Sequence, residues 1–313
     1  CMKNLKFKNS KYIFFMLLIA LCVIVFFKNN DYTESKQVSE TITSTGSITN
    51  FNDAIKLPVI MYHNISEKQR LVNKYCVSTR EFENDLKYIK EHGYTCIGTA
   101  ELIDYVYNGK ELPKNPFMIT FDDGYESFYK YAYPLLKKYN MKAVMSIVGA
   151  YTDLYTNCDD HNVDYSYLNW KEVNELNNSN FAEIQNHTYN MHEITATRKG
   201  AGKAKGESFE QFKKVFEKDT KKLNDMILSY TGKKCTVFTY PYGNIAEKSD
   251  EVIKDMGFLA ALTCSEQVNI VTKNPDDLYK IGRFNRDGRL STAEFFAKID
   301  KSFKYLKSKA NNN

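Results

Sequence analysis

No two cysteines stand close enough to form a Cys-x-x-Cys pair. Of the seven in the chain, Cys1 and Cys22 fall in the N-terminal region, leaving an odd five: Cys76, Cys96, Cys158, Cys235 and Cys264. Neither a disulfide framework nor a thiolate zinc site is therefore expected. Excess charge is also missing. All five charged residues in 1–28 are lysines, and the remainder balances at 38 basic against 38 acidic residues, which gives no case for nucleic acid as a partner. No internal repeat is visible, and a composition of 43% hydrophobic with 26% charged residues describes an ordinary folding sequence rather than a disordered one.

Lys3, Lys6, Lys8 and Lys11 precede an uncharged, almost wholly apolar run from Tyr12 to Phe27, closed by Lys28. Such a pattern reads as an export signal or a membrane anchor. No Ala-x-Ala cleavage pattern follows, so an uncleaved single-pass anchor over 1–28 is favoured, with cytoplasmic lysines and the rest of the chain outside the cell; cleavage would make it secreted. Residues 29–56 are polar, rich in Ser and Thr and without periodicity, and read as a flexible linker. The folded domain is expected over 57–313.

Within that domain Leu57–His63 and Val237–Tyr240 read as strands, as does Ala143–Val148. Ser78-Thr79-Arg80-Glu81 fits a capping box for a helix with Phe82, Leu86 and Ile89 on one face and Gly93 at its end. Phe128, Ala132, Leu135, Leu136 and Tyr139 keep helical spacing, and Ser208-Phe209-Glu210-Gln211 caps a helix carrying Phe212, Val215, Phe216 and Leu223. Alternating strands and helices imply an α/β fold with a parallel sheet, open or closed.

Three segments carry chemistry. In Ile119-Thr120-Phe121-Asp122-Asp123-Gly124-Tyr125 an apolar strand stops at two carboxylates and a glycine. Neighbouring strand residues point to opposite faces, so Asp122 and Asp123 can share a site only if the strand ends there. Carboxylates that flank a glycosidic bond sit about 5 to 9 Å apart, usually on different strands, so unequal roles fit this pair better. In His187-Thr188-Tyr189-Asn190-Met191-His192 the two histidines would lie about 140° apart on a straight helix, so they converge only through a turn. Two imidazoles and two carboxylates are the set from which a three-ligand metal site and a separate base are built. The third segment, Phe238-Thr239-Tyr240-Pro241-Tyr242-Gly243, suits a strand ending in a tight turn.

Together these segments resemble the polysaccharide deacetylases, the NodB-homology group of carbohydrate esterase family four. The five-residue histidine spacing and the Tyr62-His63 strand end are similar to the poly-N-acetylglucosamine deacetylase subgroup, in which a catalytic histidine lies near the N-terminus. The resemblance implies an irregular (β/α)7 barrel. It also implies a divalent metal, Zn²⁺ by default with Co²⁺, Ni²⁺ or Fe²⁺ as alternatives, held by Asp123, His187 and His192, and Asp122 as the base. The backbone N–H of Tyr242 is implied to hold an oxyanion. Tyr125, Pro241 and Trp170 correspond to positions on the substrate side, although a single tryptophan before a helix is as well explained by the core. Two departures stand out: Thr239 replaces the usual arginine that orients the base, and no histidine follows His192. Arg283 and His63 are the expected replacements, His63 as the acid for the leaving amine.

The implied activity is removal of acetyl groups from an N-acetylglucosamine polymer, with poly-N-acetylglucosamine favoured over peptidoglycan. The two departures leave open a glycan-binding protein on a degenerate scaffold. His161 could bind metal loosely, but both it and His92, which precedes the helix stop Gly93, read more simply as structural or solvated. The basic, glycine-rich run from Arg198 to Gly206 could touch an anionic polymer, but it reads more simply as a solvated, flexible loop.

Overall fold

The computed structural model describes residues 54–158 and 160–310. The expected anchor and nearly all of the expected linker lie outside the described residues. Among those described, no helix is long and apolar enough to cross a membrane. The described chain begins with a strand, Ile55–Leu57, paired antiparallel with Asn269–Val271. Ile55 and Lys56, assigned from sequence to the linker, therefore belong to the folded unit.

The main sheet contains Val59–Tyr62 (β1), Thr95–Cys96 (β2), Pro116–Phe121 (β3), Ala143–Ile147 (β4), Ala182–Asn186 (β5), Val237–Thr239 (β6), Ala260–Leu262 (β7) and Phe284–Asn285 (β8). Its order is β7-β6-β5-β4-β3-β1-β8, with β2 pairing the start of β3, and every pair is parallel. All residues of β3 and β4 are buried, as strands covered on both faces must be. The sheet curls until its edges meet, but they touch through a single bridge between Leu262 and Ile281. The irregular barrel implied by resemblance takes the form of a curled parallel half-barrel sheet, whose edge strands β7 and β8, of three and two residues, are too short to form a continuous closing ladder.

Helix Thr79–Glu91 (α1) starts where Ser78 accepts the Glu81 N–H and ends at Gly93, whose φ of 69° is the left-handed conformation a helix stop favours. Phe82, Leu86 and Ile89 are its buried face. The expected capping box is only half made. The Glu81 carboxylate instead accepts from Thr292 N (3.0 Å) and Oγ1 (3.1 Å) at the start of the C-terminal helix. Helices Thr99–Asn108 (α2), Tyr133–Tyr139 (α3), Gly149–Thr156 (α4), Trp170–Asn178 (α5), Phe209–Thr231 (α6), Ser249–Asp255 (α7) and Thr292–Ala310 (α8) complete the layer around the sheet.

The segment before α3 was expected to be regular helix, yet Phe128–Ala132 is wound as a π-turn. Pro134 lacks the N–H and its ring would clash with the carbonyl four residues earlier, which loosens the preceding turn. Helix α6 has the full Ser208/Gln211 capping box and buries Phe212, Phe216 and Leu223, whereas Val215 lies off that stripe and is exposed.

A buried network ties these layers together beneath the site. Arg286 donates to both Asp85 oxygens (Nε–Oδ2 2.7 Å, Nη2–Oδ1 3.1 Å), and Asp85 also accepts from Tyr62 Oη (2.8 Å) and Thr292 Oγ1 (2.6 Å). It thereby joins β1, α1, the segment after β8, and α8. Removing one partner of a buried pair leaves an uncompensated charge. Asp85→Ala should therefore cost about 3–5 kcal/mol of stability, read as a lowered midpoint in urea or thermal unfolding. An unchanged midpoint would show that the network does not hold the layers.

Candidate active site

The site forms at the C-terminal edge of the sheet, where parallel α/β architectures leave strand-end residues open to solvent. Asp122 still belongs to the ladder, donating its N–H to Tyr62 O (3.0 Å). The chain then turns sharply through Asp123 (φ 70°) and Gly124 (φ 83°), so that two consecutive carboxylates face one cavity instead of opposite sides of the sheet. A side chain at Gly124 would also crowd Ile147, its Cβ 3.2 Å from Cγ2.

The histidine segment solves a similar problem. His187 follows β5, and Thr188 adopts φ 73° while its N–H donates to Asn186 Oδ1 (2.8 Å). The next two N–H groups, of Tyr189 and Asn190, donate to the Asp219 carboxylate on α6 (2.8 Å each). This turn brings His192 back beside His187. Asp219 is a residue that sequence reasoning missed, since nothing in the spacing connects it to a motif 29 or 30 residues away.

Asp123 Oδ1 lies 3.1 Å from His192 Nε2 and 3.5 Å from His187 Nε2. The ligand atoms of the three residues lie within 4.8 Å of one another. His187 Nδ1 sits 2.8 Å from Thr239 O, which makes Nδ1 the protonated nitrogen and leaves the Nε2 lone pair facing Asp123. Asp123 Oδ1 is buried without a hydrogen-bond partner. An orphaned carboxylate oxygen flanked by two imidazole nitrogens fits a divalent cation, and these three residues could hold one.

Asp122 is held differently. Arg283, fully buried, donates Nη1 to Oδ1 (2.6 Å) and Nη2 to Oδ2 (2.8 Å), with Nε on Thr263 O (2.9 Å) and Nη1 also on Thr120 Oγ1 (3.2 Å). Burial pushes the Asp122 carboxyl up, but the Arg283 charge and the His187 ring outweigh it and hold the group below its ordinary value. Thr239, where resemblance suggested an arginine, shares a hydrogen bond with Ser146 Oγ (2.7 Å).

His63 lines the same cavity with its Nδ1 buried and unpartnered. Burial lowers its pKa, against the opposing charges of Asp123 and Asp122, so the ring is neutral at neutral pH. Tyr242 (φ 58°) and Gly243 (φ 62°) form the turn after β6, and the Tyr242 hydroxyl donates to His192 O (3.1 Å).

The cavity measures about 760 Å³. Tyr125 lines it, stacked on Tyr167 with ring centroids 4.6 Å apart, and Tyr167 in turn lies 4.5 Å from Tyr151. Tyr75, Tyr151 and Tyr167 were not legible as site residues, because no motif spacing marks them. Trp170 does not reach the cavity. It is 2% exposed, donates Nε1 to Asp153 Oδ1 (2.8 Å) and stacks on Tyr230, so its large ring fills the space between α5 and α6. Pro241 is also away from the wall, buried beneath Gly200, where an added Cβ would lie 3.0 Å from the proline.

That contact corrects the reading of the basic loop in part: Lys199, Lys203, Lys205 and Gly206 are exposed, but its centre is packed. Gly200, Ala201 and Gly202 are buried against the Tyr242 turn, Asn244 Nδ2 donates to Lys199 O (2.7 Å), and Arg198 pairs with Glu207 (2.6 Å). Lys199 lines the cavity, 5.5 Å from the Tyr242 ring centroid. His92 is structural as expected, with Nδ1 2.9 Å from Tyr88 O.

Comparison with known proteins gives this geometry a family. Poly-beta-1,6-N-acetyl-D-glucosamine N-deacetylase of Escherichia coli (strain K12) is 26% identical over 217 residues, 64% of this chain, which spans only 32% of that relative's length. The protein of the same name from Staphylococcus aureus (strain MRSA252) is 29% identical over 208 residues, covering 66% of this chain and 67% of the relative. A de-N-acetylase from Aggregatibacter actinomycetemcomitans shares the fold, with a TM-score of 0.67 at 22% identity over 78% of this chain and 100% of the other. Residues 109–261, which contain both strand-end acids, the histidine pair and the Tyr242 turn but neither His63 nor Arg283, match the family model described as polysaccharide deacetylase, and this segment is a polysaccharide deacetylase domain.

Proposed function

We propose that the protein is a metal-dependent hydrolase that removes acetyl groups from an N-acetylglucosamine polymer, poly-β-1,6-N-acetylglucosamine in preference to peptidoglycan. The observation that carries the reading is one cavity in which Asp122, clamped by Arg283, adjoins the convergent trio Asp123, His187 and His192. The names of the curated relatives support the choice of polymer. The apolar run of residues 12–27 supports a domain that works on the outer side of the cell membrane.

A divalent cation at the trio, zinc by donor chemistry with cobalt, nickel or iron as alternatives, would polarise the acetyl carbonyl and acidify the attacking water. Asp122, kept ionised by Arg283, takes the proton from that water. The Tyr242 N–H, at a left-handed turn on the cavity wall, stabilises the developing oxyanion. His63 is neutral at rest, so it takes up a proton from solvent before donating one to the departing nitrogen, and the proton gained by Asp122 returns to solvent. Water is consumed, and acetate and a glucosamine unit are released. The tyrosine wall of Tyr125, Tyr151 and Tyr167 offers flat, partly polar faces to sugar rings.

Acetate release from β-1,6-linked N-acetylglucosamine oligomers, measured beside bound-metal content, tests the reading. Asp122→Asn should lower turnover by roughly 10²–10⁴ while metal is retained, as for loss of a general base. Asp123→Ala should lose both metal and turnover. Bound metal without acetate release, from these oligomers and from peptidoglycan alike, would replace the enzyme by a glycan-binding protein.

Arg283→Met separates base positioning from simple packing. With the guanidinium gone, burial is opposed only by the weaker influence of the His187 and His63 rings, and the Asp122 pKa rises. The base must be ionised to accept a proton, so the acidic limb of the kcat/KM profile should move to higher pH. A limb that stays in place would assign the Arg283 contact to structure only.

A further inference from the structure

A second group of potential ligands, Glu126, His161 and Glu172, lies beside the first, with ligand atoms within 4.8 Å of one another. Glu126 follows Tyr125 at the strand end, His161 lies on the loop between α4 and α5, and Glu172 sits in the first turn of α5. We propose that these three side chains bind a second divalent cation, of the transition-metal type that accepts imidazole together with carboxylate, and that this cation pins the loop carrying Tyr167 to the strand end carrying Tyr125.

Glu126 is the strongest argument. Its side chain is 0% exposed, yet Oε2 has no hydrogen-bond partner. An ionised carboxylate is removed from water only at a large cost unless it is paired or coordinates a metal. Oε1 lies 3.2 Å from His161 Nδ1 and 3.6 Å from Lys130 Nζ, a half-exposed ammonium that can swing into solvent. Glu172 is buried as well. Burial raises its pKa, and the neighbouring Glu126 charge adds to that, against the opposing pull of the Asn169 N–H, His161 and Lys130. Two buried carboxylates side by side call for more positive charge than one mobile lysine supplies.

The donor set points to the class of ion. Calcium and magnesium favour oxygen-only shells, whereas one imidazole with two carboxylates suits zinc or manganese. Access is provided by the half-exposed His161, which lines an adjoining cavity of about 380 Å³. The structural consequence follows from the backbone. Glu126 N donates to Ser166 O (2.8 Å) and Leu168 N to Gly124 O (2.7 Å), with a bridge between Tyr125 and Tyr167. A cation on Glu126, His161 and Glu172 closes the loop from its other side and sets the tyrosine wall of the main cavity.

The test is Zn²⁺ alone, titrated calorimetrically into the metal-stripped full chain carrying Asp123→Ala and His192→Ala, which disables the first site whether or not that site holds metal. One Zn²⁺ per chain and a raised Tm are expected, with both lost on adding His161→Ala or Glu126→Gln. His161 is half exposed, so its removal leaves the core intact. Failure of the doubly substituted chain to take up Zn²⁺, or uptake that is the same with and without His161, would overturn the proposal.

Discussion

Arg283 and Asp122 form a buried, bidentate ion pair between residues 161 positions apart, and much of the site rests on it. The guanidinium reaches the end of the central strand β3, accepts its position from Thr263 O just beyond β7, and lies immediately before β8. It therefore clasps the two edges of the curled sheet to its middle. The single Leu262–Ile281 bridge could not do this alone. The same pair holds the Asp122 carboxyl below its ordinary value, so one contact both joins the strands and keeps a buried carboxylate ionised. Desolvating two charges is costly, and such a pair is retained where the geometry is good and the remaining donors are satisfied, as here by Thr263 and Thr120.

Backbone strain collects at the same edge. Six non-glycine residues among those described have positive φ, and three of them, Asp123, Thr188 and Tyr242, lie one in each of the three motif segments. Thr188 is β-branched, for which this conformation is a genuine outlier. Each costs of order 1–3 kcal/mol and persists only where its surroundings over-determine it. Here those surroundings are visible: Gly124 beside Asp123, the Asn186 amide oxygen and the Asp219 carboxylate accepting from the histidine turn, and the packed Gly200–Gly202 loop against Tyr242. The strain turns consecutive residues out of the alternating strand pattern and into one cavity.

The second group of ligands extends this arrangement sideways. Tyr125, Tyr151 and Tyr167 line the same cavity as Asp123, His187 and His192, and Glu126 directly follows Tyr125. The wall is assembled from a strand end, a helix and a long loop, and the backbone already ties the loop to the strand end through Glu126 N to Ser166 O and Leu168 N to Gly124 O. Trp170, buried at the start of α5 and anchored on Asp153, supports the loop from the opposite end, and that structural task accounts for its distance from the cavity.

What the sequence determined by itself was local. Apolar runs ending in glycine or acids, side-chain caps such as Ser208 with Gln211, and the short motifs placed the parallel α/β pattern, the strand-end acids and the histidine pair, because each depends on neighbours within a few residues. Tertiary structure alone decided that Arg286 meets Asp85, that the sheet curls without a continuous closing ladder, that Asp219 holds the histidine turn, and that Trp170 and Pro241 are buried while Tyr75, Tyr151 and Tyr167 line the cavity. Those outcomes depend on residues tens to hundreds of positions apart. Side-chain burial and ion pairing between them follow from how the layers pack, which no spacing along the chain encodes.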